Sequence, residues 1–264
     1  MMTPPRGRPG WRAAASTFTI LPADRGSGAF DDQSAGRIAL WLPAVGLVLA
    51  VPACAVLLGI QAAGASGPRR LLAAAAALAV VAFLTGGLHL DGLADTADGF
   101  GSRQPAEAAL EIMRRSDIGP MGVATLVFTV LIQVASLAAI RPGWHSGAAF
   151  AVAMVTARVG VLLASGAPAA RPGGFGALIA GKTSPAVRWS AAGSLLVVSA
   201  GVAAAAGGPV LAARTAGAVL GGLGLTWLVR WVAVRRLGGM TGDVFGAQIE
   251  LGTAAVLLLL ALNA

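Results

Sequence analysis

The stretch LLAAAAALAVVAFLTGGLHLDGLADTADGFGS, residues 71–102, joins a long apolar run directly to three aspartates. An apolar run of roughly 17 to 25 residues predicts a helix that crosses a bilayer. Charged side chains beside lipid are costly and usually functional. The stretch therefore predicts a membrane-spanning helix that has a polar site, containing Asp91, Asp95 and Asp98, at its end.

Composition extends this interpretation to the whole chain. Of its 264 residues, 56% are hydrophobic and 11% are charged, and the mean hydropathy is +0.79. Soluble domains carry roughly 25% charged residues, so this chain requires lipid as its solvent. A single cysteine, Cys54, excludes a disulfide framework and a cysteine-based metal cluster. The net charge of +8 is scattered without a basic stripe, so no nucleic acid is expected as a partner.

Seven apolar runs predict an all-α fold, a polytopic transmembrane helical bundle. They cover approximately residues 38–60, 71–90, 120–140, 148–165, 189–206, 210–229 and 244–262. The sequence GGP at residues 207–209 indicates a tight turn between the fifth and sixth spans. Residues 1–37 are expected to form a cytoplasmic N-terminal arm with an interfacial segment near residues 18–21. Residues 38–264 are expected to form a single integral membrane catalytic domain.

The charged residues give this predicted bundle a direction. With seven spans, fourteen lysines and arginines fall on the side of the N-terminus and only three on the other side. Positive charge accumulates on the cytoplasmic side of membrane proteins, so the N-terminus is expected to be cytoplasmic. All eleven acidic residues fall on that side or in a span that enters from it. The functional site is therefore expected at the cytoplasmic end of the bundle.

The spacing of the three aspartates indicates a shared helical face. Positions 91, 95 and 98 fall within about 60° of one another at 3.6 residues per turn. They are either solvated loop residues and helix caps or ligands of a cation that relieves their mutual repulsion. Oxygen ligands suit a hard ion, and Mg²⁺ commonly combines carboxylates with substrate phosphates. The pattern favours Mg²⁺-dependent phosphoryl transfer, with Asp91, Asp95 and Asp98 as metal ligands and catalytic residues.

Two further segments carry candidate site residues. In EIMRRSDIGPMG, residues 111–122, Arg114 and Arg115 either pair with Glu111 on the surface or bind a phosphate. Asp117 either caps the next helix or provides another metal ligand. In GGMTGDVFGAQIE, residues 238–250, two acidic residues seven positions apart share a helical face, and the first of them is Asp243.

Four other polar residues complete the set of candidates. Glu250 is predicted to lie about two turns inside the membrane, where Arg158 either pairs with it or neutralises a substrate phosphate. Lys182 is either a phosphate contact or a solvated loop residue. His89 points away from the aspartates on a regular helix, so a packed or hydrogen-bonded histidine is favoured over a general base.

Three blocks of the sequence resemble the cobalamin synthase family, the adenosylcobinamide-GDP ribazoletransferases. They are LTGGLHLDGLADTADGFGS at residues 84–102, ALEIMRRSDIGPMGVATLV at residues 109–127 and GGMTGDVFGAQIEL at residues 238–251. A weaker match, FTILPADRG at residues 18–26, precedes the first span. The order and spacing of the blocks run through nearly the whole chain, whereas residues 148–229 are similar mainly in character.

The resemblance implies a Mg²⁺-dependent enzyme of a prokaryotic cytoplasmic (inner) membrane. Such an enzyme joins adenosylcobinamide-GDP to α-ribazole or α-ribazole 5′-phosphate and releases GMP. In this scheme the ribazole 5′-hydroxyl attacks phosphorus, and Asp98 or Asp243 accepts its proton. The arginines expected to neutralise the phosphate oxygens are Arg114, Arg115 and Arg158.

Two other functions are compatible with the residues. One is a lipid-making CDP-alcohol phosphotransferase, and the other is a membrane transporter, because charges inside membranes also mark transport pathways. Clustering of the acids at one end argues against a path through the bundle. Other enzymes of cobalamin formation and a second copy of the chain are further candidate partners.

Overall fold

The computed structural model describes residues 10–20 and 32–263, with side chains described for residues 10–20 and 38–263. Over this part of the chain there are ten α-helices and no β-sheet, which confirms the predicted all-α bundle. The helices are α1 Gly10–Phe18, α2 Asp32–Ala62, α3 Gly67–Leu84, α4 Leu88–Gly101, α5 Ala106–Ile112, α6 Pro120–Ala139, α7 Trp144–Ala164, α8 Gly174–Ile179, α9 Pro185–Leu237 and α10 Gly242–Ala261.

Six of these helices, counted over the described residues, are long and apolar enough to cross a membrane. One of them, α9, has 53 residues. It would be about 80 Å long if it were straight, whereas a bilayer core is about 30 Å thick. Its backbone is non-helical at Gly207 and Gly208. The rings of Trp189 and Trp227 lie 5.9 Å apart, so α9 is a hairpin with arms 185–206 and 209–237. The turn predicted at residues 207–209 is confirmed, and each arm of α9 is long enough to cross a bilayer.

The second crossing ends earlier than predicted. Helix α3 stops at Leu84 rather than continuing to residue 90. Gly86 and Gly87 follow with φ angles of 60° and 75°, a left-handed conformation that glycine adopts without steric cost. The amide of Gly87 donates to the carbonyl of Ala82 over 2.8 Å. The aspartates therefore lie on a separate helix, α4, which packs chiefly against α10 and α6.

Part of the predicted N-terminal arm is a packed helix. Helix α1 lies against α2, and Phe18 is buried, with its ring in a T-shaped contact with Phe175 at 5.0 Å. The amide of Ile20 donates to the carbonyl of Leu84 over 2.8 Å. The ring of Phe18 faces protein, and the interfacial position expected for residues 18–21 stays a prediction. The remainder of the predicted arm at residues 1–9 and 21–31, including the end of the interfacial segment, lies outside the described residues.

Helices α7 and α10 form the centre of the bundle, with 78% and 61% of their apolar windows buried inside the protein. Small residues allow their backbones to approach each other and the second arm of α9. A methyl group added at Gly160 would collide with Thr226, and one added at Gly252 would collide with both Thr226 and Ala157. Such contacts between small residues are the usual way in which membrane helices pack.

One close crossing positions the polar end of the bundle. A Cβ atom at Gly92 of α4 would lie 2.7 Å from the backbone oxygen of Asp243 in α10. A Cβ atom at Gly246 would lie 3.2 Å from the backbone oxygen of His89. The two helices therefore meet backbone to backbone, and the first turn of α10 lies beside the aspartates of α4.

We expect Gly92→Ala to destabilise the protein by about 1–3 kcal/mol, because the added methyl group must push apart two backbones. Gly193→Ala is the matched control, since a Cβ atom there meets nothing within 4 Å. In that helix the same change should be neutral or stabilise by about 0.5–1 kcal/mol. Thermal unfolding in detergent measures both variants. Equal midpoints would contradict the close crossing.

Candidate active site

Four carboxylates meet where α4 crosses α10. Asp91, Asp95 and Asp98 lie on α4, and Asp243 lies in the first turn of α10. Burial, and then the negative charge of the neighbouring carboxylates, raises the pKa of Asp95 to about 7. In order of effect, the neighbours are Asp91, Asp243 and Asp98. The aspartates thus share one electrostatic site, to which α10 adds a fourth member.

Asp98 has a structural role in this cluster. Its two carboxylate oxygens accept hydrogen bonds from the backbone amides of Gly119, at 2.6 Å, and Gly122, at 2.8 Å. These amides are at the N-terminus of α6, where backbone donors lack helical partners. Asp98 therefore caps α6 from another helix. Of the two roles offered for Asp117, the cap is wrong, because α6 begins at Pro120 and Asp117 is too far upstream and exposed. Its role as a metal ligand stays a prediction.

Asp243 is held by two neighbours. The hydroxyl of Thr241 donates to its Oδ2 atom over 3.2 Å, and Nη2 of Arg171 lies 3.4 Å from the same oxygen. The other terminal nitrogen of Arg171, Nη1, is buried and has no hydrogen-bond partner in the described structure. Arg171 therefore contacts Asp243 through one terminal nitrogen, while the other terminal nitrogen has no hydrogen-bond partner among the described residues.

Sequence reasoning missed Arg171, which counted only toward the charge of its side of the membrane. Its loop is brought to the site by backbone contacts. The amide of Met240 donates to the carbonyl of Pro168 over 2.8 Å, and the amide of Ala170 donates to the carbonyl of Met240 over 3.0 Å. Gly239 has no room for a side chain against this loop. No local sequence pattern predicts a contact between segments about 70 residues apart.

A buried polar layer lies on the bundle side of the aspartates. Arg158 is 1% exposed, and its Nη1 atom donates to the carbonyl of Met154 over 2.9 Å. Its Nη2 atom is buried without a hydrogen-bond partner among the described residues. Glu250 instead accepts a hydrogen bond of 2.9 Å from Gln133. The predicted ion pair between Arg158 and Glu250 is therefore wrong as a direct contact, because each side chain is held by a different helix.

His89 belongs to the same buried layer and is 2% exposed. Its ring centroid lies 6.2 Å from that of Phe18. Burial, and then the positive charge of Arg158, lowers the pKa of His89 to about 3, so the imidazole is neutral at pH 7. This placement agrees with the packed histidine that the helical spacing favoured. Both ring nitrogens lack a hydrogen-bond partner within the described part of the chain.

The remaining candidates lie at the polar end but outside the carboxylate cluster. Arg114, Arg115 and Lys182 are exposed. In the described structure no ion pair joins Arg114 or Arg115 to Glu111, so the predicted surface pair is wrong. Neither arginine is hydrogen-bonded to the aspartates. Their roles as phosphate contacts, and that of Lys182, stay predictions.

A cavity of about 690 Å³ opens beside Asp91. The end of α1 supplies Thr17 and Ile20 to its wall, the turn after α3 supplies Gly86, and the segment before α6 supplies Ile118. The end of α1, which belongs to the predicted N-terminal arm, therefore lines one side of this cavity. The cavity is large enough for a ligand of ordinary small-molecule size.

The donor atoms of the site fit a hard cation, since they are carboxylate oxygens whose negative charges reinforce one another around Asp95. In residues 10–20 and 32–263, however, no three His, Cys, Asp or Glu side chains are gathered closely enough to enclose an ion by themselves. Magnesium usually takes one or two carboxylates and completes its shell with water and substrate phosphates. The metal role of Asp91, Asp95 and Asp98 stays a prediction.

The fold and the site define an integral membrane protein whose polar site is built from carboxylates at one end of a helical bundle. A family model described as cobalamin-5-phosphate synthase matches residues 10–261. The chain belongs to this family, which confirms the resemblance seen in its three sequence blocks.

Curated relatives of known name cover nearly the full chain. An adenosylcobinamide-GDP ribazoletransferase from Frankia casuarinae is 39% identical in an alignment that covers 96% of this chain and 94% of the relative. The protein of the same name from Bradyrhizobium diazoefficiens is 37% identical and covers 95% and 92% of the two chains. That from Klebsiella pneumoniae is 38% identical and covers 94% and 97%. No solved structure matches the chain.

We expect Asp98→Ala to lower the free energy of unfolding by about 1–2 kcal/mol, the usual cost of removing a helix cap. Asp91→Ala is the matched control, because Asp91 is an exposed aspartate on the same helix. Its removal should leave stability unchanged or slightly improve it by relieving repulsion. Thermal unfolding of the two variants without added metal provides the measurement. A loss of stability in Asp91→Ala as large as in Asp98→Ala would refute the capping role.

Proposed function

We propose that this protein transfers the adenosylcobinamide-phosphate group of adenosylcobinamide-GDP to α-ribazole or α-ribazole 5′-phosphate and releases GMP. The products would be adenosylcobalamin or its 5′-phosphate. The observation that carries the proposal is the 39% identity, over 96% of the chain, to a relative with the name of this activity. The carboxylate site supports it, because phosphoryl transfer depends on positioning and on offsetting phosphate charge.

The chemistry of the acceptor corrects one detail of the predicted reaction. An acceptor that already carries a 5′-phosphate, and keeps it in the product, has no free 5′-hydroxyl. The attacking group must then be another ribose hydroxyl. Its oxygen forms a bond to the phosphorus that bears cobinamide, the bond from that phosphorus to the GMP oxygen breaks, and the hydroxyl loses its proton.

In this proposal Asp91 and Asp95 would hold Mg²⁺ beside the substrate diphosphate. Bound magnesium would offset negative charge on the diphosphate and on the departing GMP. Support comes from the raised pKa of Asp95, which reflects burial and three neighbouring carboxylates. A cation placed there relieves that repulsion. Asp98 contributes by keeping α6 against α4 through its two hydrogen bonds to backbone amides.

Arg171 and Asp243 are proposed to act as a pair. The unpartnered Nη1 atom of Arg171 is a ready donor to a diphosphate oxygen. When Arg171 turns toward the substrate, its 3.4 Å contact with Asp243 is lost. Loss of this contact raises the proton affinity of the Asp243 carboxylate. Substrate binding would thereby prepare Asp243 to accept the proton of the attacking hydroxyl.

The protein is proposed to reside in the cytoplasmic membrane of a prokaryote with the carboxylate site facing the cytoplasm. Fourteen of its nineteen lysines and arginines lie at that end of the predicted spans. The nucleotide substrate and GMP are highly charged, so an aqueous approach at this end suits them. Contacts with other enzymes of cobalamin formation would limit loss of the corrinoid intermediate.

Purified protein supplied with adenosylcobinamide-GDP, α-ribazole and Mg²⁺ should release GMP, detected by chromatography.

Asp95→Asn should lower turnover about a hundredfold or more, because even outer partners of bound metals contribute 10- to 100-fold. Arg171→Gln should raise KM for the diphosphate substrate more than Arg171→Lys does, because lysine keeps the charge. The control is Glu107→Gln, at an exposed acid outside the cluster. Absence of GMP with the unchanged protein would reject the proposed reaction.

Magnesium affinity should rise with pH through the pKa of Asp95, which is about 7. Below that pH the carboxyl is protonated, and the proton must leave before the ion binds. Titration calorimetry at pH 6 and pH 8 should show tighter binding at pH 8, with up to one proton released per ion at the lower pH. Asp95→Asn should remove this pH dependence, whereas Glu107→Gln should keep it. An affinity that does not change over this range would contradict the raised pKa of Asp95.

A further inference from the structure

A second cavity lies at the end of the bundle opposite to the aspartates. It has a volume of about 500 Å³ and is bordered by α2, α7, both arms of α9 and α10. Its walls are apolar and include Val152, Val155, Leu195 and Val198. Val198 is 62% exposed on the outer surface of a membrane crossing. The walls therefore face the acyl chains of the bilayer, which makes a lipid tail the occupant that suits them.

The mouth of this cleft is cationic. Arg141 and Arg214 both line it, together with Trp144 and Asn263. Arg141 makes no hydrogen bond or ion pair with any described residue, and it is exposed. Arg214 uses Nη1 to donate to the backbone oxygen of Asn263, which leaves its other nitrogens available. No carboxylate side chain is among the lining residues of the described chain.

Two other arginines at this end of the bundle, Arg69 and Arg70, donate hydrogen bonds to backbone carbonyls at helix ends. Arg70 donates from Nη2 to the carbonyls of Ala139 and Ile140, at the end of α6. Arg69 donates to the carbonyl of Ala63, just after α2. These two side chains satisfy helix ends, as cations near helix C-termini commonly do. The free guanidinium groups of this end are thus concentrated at the mouth of the apolar cleft.

We propose that this cleft binds one phospholipid with an anionic headgroup. An acyl chain would occupy the apolar walls, and Arg141 and Arg214 would hold the phosphate. Guanidinium groups bind phosphate through paired charge-assisted hydrogen bonds. Trp144 has the amphipathic ring typical of the interface between lipid and water. The site is separate from the carboxylate cluster and does not depend on the proposed reaction.

The test is native mass spectrometry of the full chain released from nanodiscs. The nanodiscs contain equal amounts of phosphatidylglycerol and phosphatidylcholine with identical acyl chains. The unchanged protein should retain one phosphatidylglycerol about tenfold over phosphatidylcholine, because two arginines act on the anionic headgroup. Arg141→Gln combined with Arg214→Gln should abolish this preference, and the corresponding double lysine variant should keep it. Arg69→Gln is the control for a charge lost at the same end but outside the cleft.

A second pair of variants tests the apolar part of the cleft. Ala206 lines it, whereas Ala204 on the same arm of α9 does not, and both are exposed. Ala206→Phe should displace both lipids, and Ala204→Phe should displace neither. Equal retention of the two lipids by the unchanged protein would overturn the proposal, as would a preference that survives the double glutamine change. Dimers that Ala206→Phe dissociates, found in place of bound lipid, would assign the cleft to a second copy of the chain.

Discussion

The contact on which the site depends is the backbone crossing of α4 and α10. At Gly92 and Gly246 neither helix has a side chain, and the two backbones approach closely. This approach brings the start of α10 within the electrostatic reach of the α4 aspartates. A larger separation would weaken the contribution of Asp243 to the raised pKa of Asp95, which burial and the other α4 aspartates also raise. The glycines of the sequence blocks are therefore as much part of the site as the acids.

Periodicity and composition were sufficient for the main features of the fold. Apolar runs predicted seven crossings, and the GGP turn predicted the hairpin that joins two of them within α9. The helical spacing of the aspartates also predicted α4 correctly. The break between α3 and α4 was missed, because the apolar pattern continues through Thr85 and Leu88 while the backbone reverses only at Gly86 and Gly87. Hydropathy indicates whether a segment lies in lipid or in water, and it does not detect a break of one turn within an apolar helix.

The contents of the site were less predictable than its location. Spacing along one helix indicated which aspartates share a face, but not that Asp98 turns toward the amides of α6. Arg171 was not singled out because its partner, Asp243, lies 72 positions away in the sequence. The pairing of Arg158 with Glu250 was inferred from charge and depth, but Arg158 bonds to a carbonyl of its own helix and Glu250 bonds to Gln133 of α6. Tertiary contacts decided the outcomes for Asp98, Arg171 and Glu250, and no local pattern encodes such contacts.

The docking of α1 has a consequence for the order in which the protein is completed. Phe18 is made early, yet it packs against His89 and Phe175, and Phe175 follows about 160 residues later. At about 5–20 residues per second, the ribosome needs roughly ten to thirty seconds to make that interval. During this time the first helix has no complete surface on which to dock. Helix α1, which lies against α2, thus completes its aromatic contacts only after most of the membrane domain has been synthesised.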